Sequence, residues 1–302
     1  MLPVTVLEAI QKSTEFLARK GVESPRLQAE LLLAHLLKLP RMKLYLNFER
    51  PLGPAETDAL RELVRRRGQR EPLQHLTGST SFCGFEIAVN RQALVPRPET
   101  ELLAELGWQY LLAAPKQSEG RSTPVPQPVT ALDFGTGTGC IAIALAAKCP
   151  FARIVATDVS PEALTLAREN AARNNVTERI EFQLGDGLAV LAAEMRFDLI
   201  LGNPPYIPSA EIPTLQPEVR DFDPRAALDG GADGLEFYRK LAAEAKPFLK
   251  PAGKIMLEFG DGQADAVRNI FETEKWIVEV VREDYSHRAR ILIAKSSSSS
   301  SS

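Results

Sequence analysis

The sequence predicts an α/β protein: a mostly parallel sheet of seven strands with helices on both faces, preceded by a small helical domain and a connecting β-hairpin. Three observations carry this. From Val129 onward, short apolar runs alternate with helical stretches, the rhythm that a parallel sheet with crossover helices requires. Residues 4–71 keep helical spacing of their apolar side chains throughout. Residues 72–98 change to alternation, with aromatic residues around a glycine.

Within the helical part, Val6, Ile10, Phe16 and Leu17 mark a first helix, with Gly21 as its C-cap. Ser24-Pro25 fits an N-cap followed by proline at the first helical position. The next helix runs from Arg26 to Leu37, with Leu27, Leu31 and Leu32 in its apolar face, and Pro40 stops it. Pro54 to Arg67 reads as a further helix with Leu60, Leu63 and Val64 turned inward. The hairpin spans Phe82 to Asn90, and Glu99 or Thr100 opens a helix through Leu112. Residues 115–130, rich in Pro, Ser and Gln, read as an exposed loop. Strands are expected at 129–134, 153–157, 180–184, 197–201, 254–259, 276–281 and 289–294. The clearest helices between them are 140–148, 161–174 and 235–248. The expected organisation is therefore a helical substrate-docking domain (1–71), a hairpin linker (72–98), a catalytic domain (99–295) and a disordered serine tail (296–302).

Composition excludes several classes. The 302 residues are 44% apolar and 25% charged, as in ordinary globular proteins, and contain no apolar run long enough to span a membrane. No secretory signal opens the chain. Three cysteines without C-x-x-C spacing and three scattered histidines argue against a disulfide framework and against a metal site, and the expected compartment is the cytoplasm. Residues 1–71 carry 13 Lys and Arg against 9 Asp and Glu, whereas the remainder carries 23 against 30. An acidic catalytic part is a poor footprint for duplex nucleic acid. The basic run Arg65-Arg66-Arg67 is either a solvated helix face or a surface for an acidic partner.

The chemistry concentrates at strand ends. Phe197 to Leu201 suits a buried strand, and Pro204-Pro205 must stop it. Asn203, Pro204, Pro205 and Tyr206 then form a stiff loop at a carboxyl end, where open α/β sheets bind ligands. Carbonyl and amide acceptors beside an aromatic ring suit a planar NH2 group. The turn Gly135-Thr136-Gly137-Thr138-Gly139 closes the first strand with bare backbone. It is neither G-x-G-x-x-G nor a phosphate loop. Asp158 ends the second strand, in place to accept from ribose hydroxyls, and Asp186-Gly187 ends the third, where an adenine edge would lie. Acids at three strand ends, with no cation to receive phosphates, suit S-adenosylmethionine, which carries a sulfonium and an ammonium group.

A methyl donor beside Asn203 implies methyl transfer to a planar nitrogen. The Asn203 side-chain oxygen and the Pro204 carbonyl would hold its two N–H bonds, and Tyr206 would wall in the planar group. These residues leave two acceptors open: an amide, or an exocyclic amine of adenine or guanine.

The motif set resembles the class I methyltransferases with a Rossmann-like sheet, and more closely the peptide-chain release factor glutamine N5-methyltransferases. The resemblance rests on Glu71 to Gly78, Phe82 to Phe85, Val95-Pro96-Arg97-Pro98-Glu99-Thr100-Glu101, the Gly135–Gly139 turn and Asn203–Tyr206. Phe222 to Gly231 and Glu258-Phe259-Gly260 add to it. It covers the chain apart from residues 115–130 and the serine tail. The segment from Pro96 to Glu101 separates it from the ribosomal-protein glutamine methyltransferases. The resemblance implies methylation of the glutamine in a Gly-Gly-Gln loop of release factors, with no direct nucleic-acid or membrane partner. It assigns Gly135 to Gly139, Asp158, Gly187 and Asn203 to S-adenosylmethionine, and Asn203 to Tyr206 to the glutamine. Many relatives carry an aromatic residue where Gly187 stands, so this chain lacks one adenine-stacking contact at that position.

Overall fold

The computed structural model describes residues 4–113 and 128–297. The chain divides into two units, one of residues 1–79 with 216–222, the other of residues 80–215 with 223–302.

The first unit is helical. Thr5 and Glu8 cap the helix Val6–Arg19 reciprocally, each side chain meeting the other's backbone N–H. Its buried stripe, Val6, Ala9, Ile10, Ser13 and Leu17, follows the expected period. The second helix is Pro25–Leu37, with proline at its start as expected, but Ser24 does not cap it. Ser24 has φ +47°, outside the extended geometry in which a cap hydroxyl reaches the first-turn N–H groups. The apolar face also differs from the expected one. Leu32, Leu33 and Ala29 are buried, whereas Leu27 is 41% exposed. Glu30, in the same helix, is buried and accepts from Arg26, Arg41 and Tyr45.

The third long helix, Pro54–Gly68, ends in the three arginines, and all three are engaged within the unit. Arg65 pairs with Glu62, Arg66 with Glu71, and the buried Arg67 with Gln28 and Glu218. Of the two readings of this run, a solvated helix face or a surface for an acidic partner, neither fits Arg67, which is buried and paired inside the unit. Glu218 lies on the short helix Pro217–Arg220, which the chain contributes after the Asn203–Tyr206 loop. Arg70 grips the same carboxylate through two N–H bonds at 2.6 Å.

The second unit begins at Thr80, within the hairpin of β1 (Ser79–Phe82) and β2 (Phe85–Ala88), which Cys83 and Gly84 close, both at positive φ. That two-residue, left-handed turn matches the twist of paired strands. The helix Pro98–Ala113 follows. The sheet contains β3 (Val129–Phe134), β4 (Ala152–Asp158), β5 (Ile180–Leu184), β6 (Phe197–Gly202), β7 (Leu249–Glu258), β8 (Trp276–Glu283) and β9 (Ala289–Ser296). Their order is β5-β4-β3-β6-β7-β9-β8. The first four pairings are parallel, and β9 runs antiparallel to both β7 and β8. Alternate residues of the central strands feed two cores. Ala131, Leu199 and Leu201 enter one with the helix Cys140–Lys148, and Leu132 and Ile200 the other with the helix Glu236–Glu244.

Two boundaries differ from expectation by four residues or more. The helix expected to reach Phe248 stops at Glu244, because Pro247 cannot continue it, and a single 3-10 turn Lys246–Phe248 follows. Strand β7 begins at Leu249 rather than Lys254, through an irregular register around Gly253. The last strand includes Ser296, the first serine of the run. Of the loop expected over 115–130, residues 115–127 lie outside the described residues, as do residues 298–302 of the tail.

Candidate active site

The chain leaves β3 for β4 on one side and returns to β6 on the other, so the sheet's topology reverses between β3 and β6. Such a switch point is where the carboxyl ends open a crevice. Register pairs Phe134 with Gly202, which sets the Gly135–Gly139 turn beside Asn203. Gly202 permits this: a Cβ there would sit 2.6 Å from the Phe134 carbonyl oxygen.

A cavity of about 240 Å³ opens at this point. Of the sequence-predicted residues, Gly135, Gly137, Asp158, Asp186, Gly187, Asn203 and Pro205 line it. Thr136, Thr138, Gly139, Pro204 and Tyr206 do not. The two threonines are buried and build the turn instead, the Thr136 hydroxyl donating to Asp133 at 2.6 Å. Gly139 has φ +81° and lies against Ala167, where a Cβ would be 3.0 Å from the Ala167 Cβ. Asn170, fully buried, ties the turn to the hairpin by bonding the Thr138 carbonyl and both backbone groups of Ala88.

The three acids expected around the pocket have three different environments. Asp133 does not face it. It is fully buried, accepts from the Ala142 N–H at the start of the helix Cys140–Lys148, and so caps a helix whose own N-cap is a glycine. Burial pushes its carboxyl up to about 7, against the help of Thr136 and Ala142. Asp158 does face the cavity. Its two oxygens accept from the Gly137 N–H at 2.8 Å and the Ser160 N–H at 2.9 Å, leaving further lone pairs for a ligand. Asp186 lines the cavity but pairs with Lys240 at 2.6 Å, a partner that the sequence reading did not place. A carboxylate so engaged is a weaker candidate for an adenine amine than the bare acid expected.

The absence of a side chain at Gly187 has a structural cause. With φ +57°, a Cβ there would fall 2.4 Å from the Phe134 ring. Phe134 occupies that room, lines the cavity and meets Phe237 edge-on, with ring centroids 6.3 Å apart. The aromatic wall missing at Gly187 is supplied from strand β3 and the helix Glu236–Glu244.

The Asn203 loop is held from three sides. Both N–H bonds of the Asn203 side chain are used, one to Glu258 at 2.9 Å and one to the Thr100 hydroxyl at 3.1 Å. Its Oδ1 has no protein donor, and neither has the Pro204 carbonyl, among the described residues. The Tyr206 carbonyl accepts from Gln263, and its half-buried ring lies against Gly260, where a Cβ would be 2.9 Å from the ring. Burial raises the Tyr206 hydroxyl, which stays neutral. Arg97 binds the buried Asp223 at 2.5 Å, fixing the start of the segment whose Pro224 and Ala226 complete the cavity wall. Sequence reasoning quoted Thr100, Arg97 and Glu258 within motifs but gave them no task in the site. The available signal for Glu258 was an acid ending an otherwise apolar strand.

Comparison with known proteins follows this division. A family model described as the PrmC N-terminal domain matches residues 8–78, and one described as the methyltransferase small domain matches residues 123–215. The release factor glutamine methyltransferase of Geobacter sulfurreducens is 44% identical over 267 residues, covering 88% of this chain and 88% of its own. The chain belongs to the release factor glutamine methyltransferase family. Another member, from Moorella thermoacetica, is 39% identical over 292 residues, covering 96% of this chain and 98% of its own. The catalytic domain of human METTL16 shares the fold of the sheet unit, with a TM-score of 0.53 at 16% identity, covering 70% of this chain and 76% of that one. Among the described residues, no helix is long and apolar enough to cross a membrane.

Membership of a methyltransferase family makes S-adenosylmethionine the methyl donor, and the cavity fits it chemically. Bare backbone at Gly135 and Gly137, a carboxylate with spare lone pairs at Asp158 and an aromatic wall at Phe134 match a sulfonium nucleoside.

Proposed function

We propose that this chain methylates the side-chain amide nitrogen (N5) of the glutamine in the Gly-Gly-Gln loop of a peptide-chain release factor. The observation that carries the reading is the orientation of Asn203. Its N–H bonds are occupied within the protein, so its Oδ1 is the acceptor left, next to the unpaired Pro204 carbonyl. Two fixed acceptors match the two N–H bonds of a primary amide.

Bound S-adenosylmethionine supplies an electrophilic methyl on sulfur. The amide nitrogen is a poor nucleophile because its lone pair is delocalised into the carbonyl. Asn203 and Pro204 hold its two protons and so aim the nitrogen, favouring the positive charge that develops there. Transfer would form the N–C bond as the donor's S–C bond breaks, and the nitrogen, acidic once alkylated, would lose a proton to water, leaving S-adenosylhomocysteine as the second product. Pro205 and Tyr206 wall the planar group. Asp158 accepts from the ribose hydroxyls, and the Gly135–Gly139 turn lets the ligand approach the backbone. The helical unit, which carries the chain's excess of basic residues, takes the task of holding the release factor.

The test is incubation with S-adenosylmethionine and a full-length bacterial release factor, followed by peptide mass spectrometry. One added methyl is expected, on the Gly-Gly-Gln glutamine. Folded protein that binds S-adenosylmethionine but transfers no methyl would falsify the assignment. Phe134→Leu is expected to weaken S-adenosylmethionine binding several-fold, about 1 kcal/mol, through loss of the aromatic face. Unchanged affinity in titration calorimetry would remove Phe134 from the cofactor's wall.

A further inference from the structure

We propose that Glu258 is a positioning residue that sets which end of the Asn203 amide meets the substrate. This rests on the function proposed above and names a residue for which that reading gives no task. Glu258 ends β7, one residue past Leu257, the register partner of Gly202, so it reaches the Asn203 side chain from the neighbouring strand. It is 2% exposed, and its Oε2 has no hydrogen-bond partner. Its backbone is pinned as well, because the fully buried Tyr238 hydroxyl donates to the Glu258 carbonyl at 2.8 Å.

A buried carboxylate with one unpartnered oxygen and no bonded cation is costly to keep. Packing alone would be served better by leucine or glutamine. What a carboxylate adds is that it only accepts. A primary amide has nearly the same shape when turned by 180°, and the turn exchanges its oxygen for its NH2. Turned so, Asn203 would present a donor to the donors of the substrate amide. An ionised Glu258 admits only the orientation in which Nδ2 points at it. The Thr100 hydroxyl, able to donate or accept, follows whichever orientation Glu258 selects.

The device is pH-sensitive. Burial raises the Glu258 carboxyl to about 7; Thr100, Arg290 and Asn203 oppose this, and Glu99 adds to it. Tyr206 and Tyr238 also lie within its field, and both stay neutral because burial raises their hydroxyls. Protonated Glu258 gains a donor and tolerates either amide orientation. Turnover therefore falls as pH drops through about 7.

The experiment compares wild type with Glu258→Gln, whose own amide accepts either orientation of Asn203. Glu258→Gln is expected to lower kcat by roughly 10- to 100-fold at pH 8, with KM for the release factor changed less than about twofold. Its kcat should lose the acid limb near pH 7 that wild type shows. Wild-type kcat and pH profile in Glu258→Gln overturn the proposal. If that variant does not fold, the wild type decides: kcat flat from pH 6 to 8 overturns the proposal, and an acid limb in kcat supports it. A readout without turnover separates this from the function itself. In 15N-labelled wild type, the Asn203 side-chain protons are expected to be more strongly protected at pH 8 than at pH 6, each exchange rate being taken relative to the intrinsic amide rate at that pH. If no release factor is methylated, the function fails while that protection pattern still supports the positioning role; equal protection at both pH values overturns it.

Discussion

Replacing Asn203 by alanine is expected to lower turnover by about 100- to 1000-fold, while affinity for S-adenosylmethionine falls only a few-fold. The size follows from what the side chain does. Oδ1 is one of two acceptors proposed for the substrate's N–H bonds, and nothing else among the described residues replaces it. Losing it frees the amide nitrogen to rotate out of line with the methyl, and removes a fixed dipole aimed at the developing charge. The loss belongs in kcat because the interaction strengthens as the nitrogen becomes positive. Alanine also removes the Asn203 N–H bond to Glu258, one of the contacts that hold its carboxyl down, so that carboxyl rises further. Single-turnover kinetics with both substrates saturating, beside titration calorimetry of the cofactor, separates the two effects. A variant with wild-type single-turnover rate and only weaker cofactor binding would show that Asn203 serves the cofactor and not the amide.

Much of this site was legible because its signals are local. Prolines at 204 and 205 must end a strand, glycines at 135, 137 and 139 must close a turn, and alternating apolar runs must form a sheet. Each follows from one residue's own backbone restrictions. Neighbouring strand ends were also implied, since β3 and β6 flank the reversal that α/β sheets use for ligands. What sequence reading did not reach was partnership over long separation. Asp133, Asp158 and Asp186 look equivalent as acids at strand ends. Asp133 turns inward to cap a helix, and Asp186 meets Lys240 from a helix more than fifty residues on. Side-chain direction alternates along a strand, and pairing depends on where a distant helix lands, so neither is written in the local pattern. Arg67 shows the same limit. In sequence it belongs to a run of three surface-like arginines, yet it is 4% exposed, held by Glu218 from a segment that follows the catalytic loop. Gly187 is the converse case. The departure is visible in sequence, but its compensation by Phe134 is visible only once the ring is found in the place a side chain would take.

Replacing Asp158 by alanine is expected to weaken S-adenosylmethionine binding by about 100-fold, near 3 kcal/mol, as two charge-assisted hydrogen bonds to the ribose are lost. Part of that loss has a second source, because Asp158 also holds the Gly137 N–H at 2.8 Å and the Ser160 N–H at 2.9 Å. Removing it leaves the glycine turn, already at positive φ, without one of its side-chain anchors. The two contributions separate when the ligand is changed along with the protein. Wild type should bind a 2′,3′-dideoxy analogue of S-adenosylmethionine far more weakly than the natural compound. The Asp158→Ala protein should bind both about equally, since the carboxylate that reads the hydroxyls is gone, and the residual deficit against wild type measures the turn. Were the alanine variant to keep the full preference for the natural ribose, the hydroxyls would be read by another group. Asp158 would then stand as a structural anchor of the turn, alongside Asp133, and the cavity's recognition of the ribose would have to be sought among its backbone groups.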